Sequence, residues 1–423
     1  MTGATVEHTG VEDLESFRAR ARTWAIENLP VAVDNAQSRA DTEDHIKQVA
    51  KARATQRLVF DGGFAGLRYP KEYGGQGLAR DHQLAWREAT SDRDIGCLSH
   101  FRVTHGIMGP TLLEFGSEEQ RQRHIPAMLC GDELWVQFLS ESSAGSDLAS
   151  LLTRAQRSSD VYVLNGSKIW STFAQVSDYA LVLARTNLDV PKHSGLSMFI
   201  LPIRTEGVTL RTIQLATGSA EFCEEFFDDV QIPVTDIVGQ ENDGWNVVMR
   251  LFFHERNTVG GNSLNDQDAA GVGESALSTE EQLISLARSV GNFKDTHTRQ
   301  LIGEALVLDR LADYTILRVN TLMKSGAMPE SGASILKLMR SMSKYRFKEI
   351  ALEVGGTQVM FGGPEDEIGG HGHRWLVARV GTIAGGSNEM QRNAISERVL
   401  GLPRDSSPDT LIPFRDVLAQ RKR

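Results

Sequence analysis

Thr382-Ile383-Ala384-Gly385-Gly386-Ser387-Asn388-Glu389-Met390-Gln391-Arg392 is the stretch on which the reading of this chain turns. Gly385 offers a main-chain N–H but no side chain that could accept a proton. The chemistry to which this segment belongs therefore depends on what surrounds it.

Working back from this segment, the chain reads as helical to about Trp245. Arg299 to Lys324 and Gly332 to Val354 have the apolar spacing of long amphipathic helices, separated by the break at Met328-Pro329-Glu330. Residues 262 to 282 are rich in Asp, Glu, Gly, Ser and Ala and poor in large apolar residues, which predicts an exposed, mobile insert. Before Trp245 the pattern changes. Val161 to Leu164, Ala180 to Ala184, Leu196 to Ile200 and Val208 to Leu210 are short apolar runs bounded by Gly, Pro, Asp or Ser. They predict a small β-domain, ending near Phe226-Phe227-Asp228-Asp229-Val230-Gln231-Ile232-Pro233. Up to about residue 133 the spacing is helical again, in Asp13 to Glu27 and Asp44 to Phe60. Gly66 to Leu78 is a structured turn containing Pro70 and four glycines. Helices, then strands, then helices is an unusual order for a doubly wound nucleotide-binding sheet. No Gly-x-Gly-x-x-Gly element follows a strand.

Bulk properties narrow the classes. The chain has 423 residues, 40% hydrophobic and 24% charged, enough for two or three domains of a soluble globular protein. A net charge of −10 argues against a nucleic-acid partner. No run of about 18 apolar residues suggests a membrane span, and the first residues lack a secretory signal pattern. Cys97, Cys130 and Cys223 are too scattered for a disulfide framework or zinc site, so the expected location is the reducing cytoplasm. His371-Gly372-His373 lacks carboxylates or cysteines at ligand spacing and is expected on a loop, with no metal. The cations between Lys51 and Arg57 are expected on a solvated helix face. The polar tail after Pro403 is expected to pack on a neighbouring molecule or fray.

Two further motifs carry chemistry. Ser140-Glu141-Ser142-Ser143-Ala144-Gly145-Ser146-Asp147 is a run of small residues whose amides can approach an anionic or polar ligand closely. Trp170-Ser171-Thr172 follows the turn Asn165-Gly166-Ser167-Lys168, and an indole there could wall a flat π ligand.

Together with the segment 382–392, these motifs resemble the acyl-CoA dehydrogenase family, in family order and at family-like spacing across about residues 15 to 403. The resemblance implies an α+β multidomain fold: an N-terminal helical domain (1–133), a middle β-barrel domain (134–240), a C-terminal four-helix bundle (241–403) and a tail (404–423). It implies FAD as cofactor. Leu139 and Ser140 would meet the isoalloxazine edge, and Ser146 the pyrophosphate. Trp170 and Thr172 would lie along the ring, and Ser387 and Glu389 would complete the flavin site. Arg299, opening Arg299-Gln300-Leu301-Ile302-Gly303-Glu304-Ala305-Leu306, would reach the pyrophosphate in a neighbouring subunit. For the adenine half, Gly355-Gly356 and Gln358 with Gly362-Gly363 both stand as candidates.

The resemblance also implies the reaction: an acyl-CoA becomes a trans-2-enoyl-CoA while FAD is reduced, and electrons pass to an electron-transfer flavoprotein. Many relatives carry the catalytic glutamate where Gly385 stands. A subgroup places it on the helix after the middle domain, and Glu255 in Phe252-Phe253-His254-Glu255-Arg256-Asn257 matches that pattern. A carboxylate among aromatic residues is expected to hold its proton more tightly, which suits a base near neutral pH. Gly385 would keep a carbonyl-polarising N–H, and Arg256 would approach the CoA portion. Two other readings stay open. One is a flavin monooxygenase or oxidase on the same fold. The other is a non-catalytic partner subunit of a mixed tetramer, rather than a homotetramer.

Overall fold

The computed structural model describes residues 12–32, 42–260, 278–361, 366, 368–405 and 407–421. The N-terminal part is helical: α1 (Leu14–Asn28), α2 (Thr42–Asp61), α3 (Arg80–Ala89), α4 (Gly109–Phe115) and α5 (Glu118–Cys130). The helix periodicity buries Phe17, Ala21 and Ala25 of α1 against Phe64 and Trp86, whose rings stack at 4.5 Å. α5 begins at a reciprocal cap between Ser117 and Gln120. Between α3 and α4, Thr104–Met108 forms a buried π-helical turn, a distortion often found beside functional sites.

The middle part contributes β1 (Trp135–Phe138), β2 (Arg154–Ser158), β3 (Val161–Thr172), β4 (Tyr179–Arg185), β5 (Leu196–Pro202), β6 (Val208–Ile213), β7 (Phe222–Pro233) and β8 (Ile237–Val238). They form one mostly antiparallel sheet in the order β6-β7-β3-β2-β4-β5-β8, with β1 parallel to β4. Side chains alternate between faces. Leu181, Leu183, Met198 and Ile200 enter a core shared with helical residues Ile107, Leu112, Val247, Val248 and Leu251. Ala180, Val182, Phe199 and Leu201 enter a second core within the sheet. β4 and β5 are thus buried on both faces, which explains their continuous apolar runs.

The C-terminal helices are α6 (Gly244–Gly260), α7 (Thr279–Ser289), α8 (Thr296–Lys324), α9 (Ala333–Gly355), α10 (Gly369–Ala378), α11 (Val380–Ile383), α12 (Asn388–Ala394) and α13 (Phe414–Arg421). α7, α8 and α9 share a core of Leu286, Leu301, Ala305, Phe347 and Ile350. No described helix is long and apolar enough to cross a membrane.

Five expectations need correction. Asn165 to Lys168, expected as a turn, lies within the continuous strand β3, whose ladder with β7 is only locally irregular there. Residues 279–282 of the expected insert are the first turn of α7, started by a reciprocal cap between Ser278 and Glu281. Residues 261–277 lie outside the described residues. His371 and His373 belong to helix α10 rather than a loop, and His371 is buried. Lys51, Arg53 and Arg57 are paired with Asp94, Asp178 and Asp132 rather than simply solvated. The tail packs on its own chain: Phe414 N donates to Val190 O at 2.9 Å, and its ring lies 3.8 Å from the Arg185 guanidinium.

Candidate active site

Helix α6 joins the sheet to the C-terminal helices. Its first residue, Gly244, packs so closely on β5 that a Cβ there would stand 2.6 Å from Ser197 Cα. Val247, Val248 and Leu251 form its fully buried face. Helical spacing carries that face onward to Glu255 and Thr258. Thr258 Oγ1 donates to Gly106 O at 3.0 Å, fixing α6 to the π-helical turn. Glu255 therefore stands where the pattern calls for an apolar residue, and its side chain is half-buried.

The segment 382–392 meets this carboxylate. Gly385 has φ +68° and Gly386 φ +85°, a left-handed pair that lets the chain turn sharply. A Cβ at Gly385 would lie 3.7 Å from Glu255 Oε1, so the space a side chain would take borders the carboxylate. Gln391 Nε2 donates to the carbonyls of Gly385 and Gly386, at 3.1 and 3.0 Å. The Gly385 N–H has no main-chain acceptor among the described residues. Ser387 caps α12, accepting from Met390 N at 3.3 Å. Glu389 is exposed in the first turn, 3.6 Å from Arg392. Its carboxyl is held below the usual range by main-chain N–H and the Ser387 hydroxyl.

Charge around Glu255 is mixed. Burial pushes its carboxyl above the ordinary range, opposed by Arg256, the Gln137 amide and the charges of Lys337 and Arg102. Although Glu255 retains some exposure, protein surrounds it closely enough for desolvation to win. Burial also lowers the Arg256 guanidinium, which Glu255 partly offsets. Lys337 is buried on α9 and donates to Gly381 O at 3.1 Å. Gln137, on β1, has a buried Oε1 with no hydrogen-bond partner among the described residues.

A second group forms where the 140–147 loop meets β3. Leu139 is buried, and Ser140 O accepts from Ile169 N at 2.9 Å, bringing Leu139 and Ser140 beside the Trp170–Thr172 stretch. Trp170 has φ +71° at an irregularity of the β3–β7 ladder. The residue is 54% exposed, its indole supported edge-on by Phe222 at 6.0 Å. A large aromatic held open at a strand end fits a flat ring ligand. Ser146 is exposed, and a Cβ at Gly145 would meet nothing within 4 Å, leaving the loop's outer side open. Thr172 ends β3 with partial exposure. Arg299 stands exposed near the start of α8 and has no hydrogen bond or ion pair with either group. Of the adenine candidates, Gly355-Gly356 ends α9, Gln358 lies in the following turn, and Gly362-Gly363 falls outside the described residues.

Sequence reading missed Lys337, Gln137, Arg102, Lys168 and Glu225. Lys168 is fully buried and donates to Leu139 O and Glu141 Oε1, both at 2.9 Å. Glu141 also accepts from Leu152 N and Thr153 N at 2.6 and 2.8 Å. This glutamate anchors the loop from beneath. Ser171 Oγ donates to buried Glu225 at 3.1 Å. Lys168 and Glu225 occupy inward positions of alternating strands, so strand parity was the available signal. Among the described residues, no His, Cys, Asp and Glu group is arranged to hold a metal ion.

Comparison with known proteins places the whole chain in one family. Sequence profiles of the acyl-CoA dehydrogenase N-terminal, middle and C-terminal domains match residues 11–132, 137–230 and 242–400. The chain belongs to the acyl-CoA dehydrogenase family, whose members are FAD-dependent oxidoreductases. It is 33% identical to the acyl-CoA dehydrogenase IpdE1 of Mycobacterium tuberculosis, over 94% of this chain and all of that one. It is 30% identical to the acyl-CoA dehydrogenase FadE29 of the same organism, over 83% of this chain and 89% of that one. Among solved structures, the G363A variant of the Tcur3481-Tcur3483 steroid acyl-CoA dehydrogenase superposes with a TM-score of 0.72 at 25% identity, covering 93% of this chain and 99% of that one. The ChsE4-ChsE5 complex of Mycobacterium tuberculosis gives 0.67 at 25% identity, covering 95% and 100%.

Proposed function

We propose that this protein desaturates an acyl-CoA thioester between its α and β carbons, with Glu255 as the base. The observation that carries this reading is the meeting of Glu255 with the Gly385 turn: a carboxylate raised by burial, 3.7 Å from where a Gly385 side chain would begin. Glu255 takes the α proton onto its carboxylate. The Gly385 N–H donates to the thioester carbonyl oxygen and makes that proton more acidic. Arg256 meets the CoA portion. Bound FAD would supply the acceptor for the hydride leaving the β carbon, with an electron-transfer flavoprotein as the expected electron partner. Leu139, Ser140, Trp170 and Thr172 hold its ring and exclude water, Ser146 its pyrophosphate, and Ser387 and Glu389 border it from the C-terminal side. The product is the trans-2-enoyl-CoA.

The working unit contains a second copy or a related chain, with Arg299 reaching a neighbour's FAD. Val307, Leu311, Tyr314 and Leu317 support this: they are between 49% and 68% exposed and form one stripe along α8. Two solved neighbours are complexes of two named chains, Tcur3481-Tcur3483 and ChsE4-ChsE5.

The test is single-turnover bleaching of the bound flavin by a panel of acyl-CoAs, with ferrocenium as acceptor and oxygen uptake followed in parallel. Glu255→Gln is expected to keep its FAD and lose bleaching. Undiminished bleaching at normal FAD content refutes Glu255 as the base. Rapid oxygen uptake would instead favour an oxidase.

A further inference from the structure

Helix α9 grips the Gly385 segment from both sides. Lys337 Nζ donates to Gly381 O at 3.1 Å, four residues before Gly385. Ser341 Oγ, one helical turn along, donates to Asn388 Oδ1 at 2.6 Å, three residues after it. Between these ties the chain makes its two left-handed glycine steps and comes against Glu255. The turn is therefore fixed by α9 at its ends and by Gln391 from within.

Lys337 does more than tie a carbonyl. It is only 8% exposed, and a buried ammonium is costly unless anions or acceptors compensate it. The carboxylates acting on it are Glu255 and Glu389. The other groups acting on Glu255 are Arg256 from its own helix, Gln137 from β1 and Arg102 from the stretch before the π-helical turn. Arg398 acts on Arg256 in turn. Lys337 alone in this set both carries charge toward Glu255 and bonds the segment that bears Gly385.

We propose that Lys337 is a positioning residue for the desaturation: it holds the Gly385 turn in place through Gly381 and brings a positive charge to the surroundings of Glu255. This rests on Glu255 being the base. Without the nearby cation, burial acts on Glu255 with less opposition, and the proton is bound more tightly. The acid limb of the rate profile then moves to higher pH.

The experiment uses holoenzyme variants, with flavin bleaching by octanoyl-CoA, 2-methylbutanoyl-CoA and a steroid-side-chain acyl-CoA measured from pH 6 to 10. The pH series is run with whichever compound bleaches the wild type. Lys337→Met and Lys337→Gln are both expected to move the acid limb to higher pH and slow bleaching at pH 7 severalfold. The rate should recover above pH 9. Lys337→Arg keeps the limb in place. Ser341→Ala loosens the segment without changing its charge, so it lowers the rate at every pH and leaves the limb unmoved. If Lys337→Met does not fold, the glutamine variant decides. An unmoved acid limb in a folded, FAD-replete glutamine or methionine variant overturns the proposal. So does an arginine variant shifted as far as the methionine one. Should Glu255→Gln still bleach normally, it is the assignment of the base that fails, and the limb belongs to another group.

Discussion

Glu141 and Glu255 are both withdrawn from water, yet their surroundings are opposite in kind. Glu141 is 7% exposed, paired with fully buried Lys168 and bonded by two main-chain N–H groups. Burial works against its ionisation, but Lys168 and those N–H groups outweigh burial, and the carboxyl sits below its ordinary range. At Glu255 the balance reverses: burial outweighs Arg256, Gln137, Lys337 and Arg102. Desolvation alone does not make a reactive carboxylate. What matters is whether hydrogen bonds finish the job of stabilising the anion. A finished carboxylate is an anchor, as Glu141 is for the 140–147 loop. An unfinished one beside open space is available to a substrate proton.

Removing what each carboxylate does, one at a time, shows which property depends on it. Glu255→Gln is expected to slow flavin bleaching about a thousandfold, ~4 kcal/mol of barrier. Its folding should not suffer. A raised carboxyl binds more protons folded than unfolded, so Glu255 makes stability decline as pH rises, and glutamine removes that slope. Thermal unfolding at pH 6 and pH 8.5 checks this: a variant less stable than wild type at pH 8.5 contradicts it. Lys168→Met is expected to do the reverse. It leaves Glu141 buried without its cation and costs roughly 3–5 kcal/mol of stability. The pH profile of bleaching in the protein that remains folded should be unchanged.

Part of this contrast was legible in the sequence. The order of helices and strands follows from periodicity, and Glu255 falls on the buried face of α6 by simple spacing from Val247 and Leu251. Its meeting with Gly385 is not readable that way, because 130 positions of chain separate the two. Lys168 and Glu225 were marked by strand parity, but the ladder irregularity between Leu164 and Gly166 obscures the count. Lys337 left little trace, since a lysine near a helix start ordinarily faces water. The tail misled for another reason: its polar composition conceals a single anchor, Phe414, whose pocket is built by residues more than two hundred positions earlier.

That anchor gives a smaller test on the 140–147 side. Arg185 is buried and donates to Ala149 O and Lys192 O at 2.5 and 3.1 Å, while its guanidinium lies against Phe414. Lys192 bridges Asp147 and Asp409, at 2.9 and 2.8 Å. The tail thus closes over residues that follow Ser146. Phe414→Ala is expected to cost about 3 kcal/mol of local stability. Trypsin should then cut near Arg404 and Arg415 at least tenfold faster. An unchanged cleavage rate would show that the tail is held elsewhere.

Glu225, like Glu255, is pushed up by burial, and it offers the finest test. It is fully buried beneath the Trp170–Thr172 stretch, with one hydroxyl donor on Oε2 and no partner on Oε1 among the described residues. Burial pushes its carboxyl up to about 8, partly opposed by Ser171 and Lys168. Between the ordinary carboxylate range and that value, the folded protein binds a proton that the unfolded chain does not. Stability therefore falls as pH rises through this window. Glutamine keeps an acceptor for Ser171 Oγ and has no charge to desolvate. Glu225→Gln is accordingly expected to be near neutral at pH 5 and stabilising by about 2 kcal/mol at pH 8.5, read from unfolding midpoints at both values. Equal effects at the two pH values would mean that Glu225 is already satisfied as an anion, and that it belongs with Glu141 rather than with Glu255.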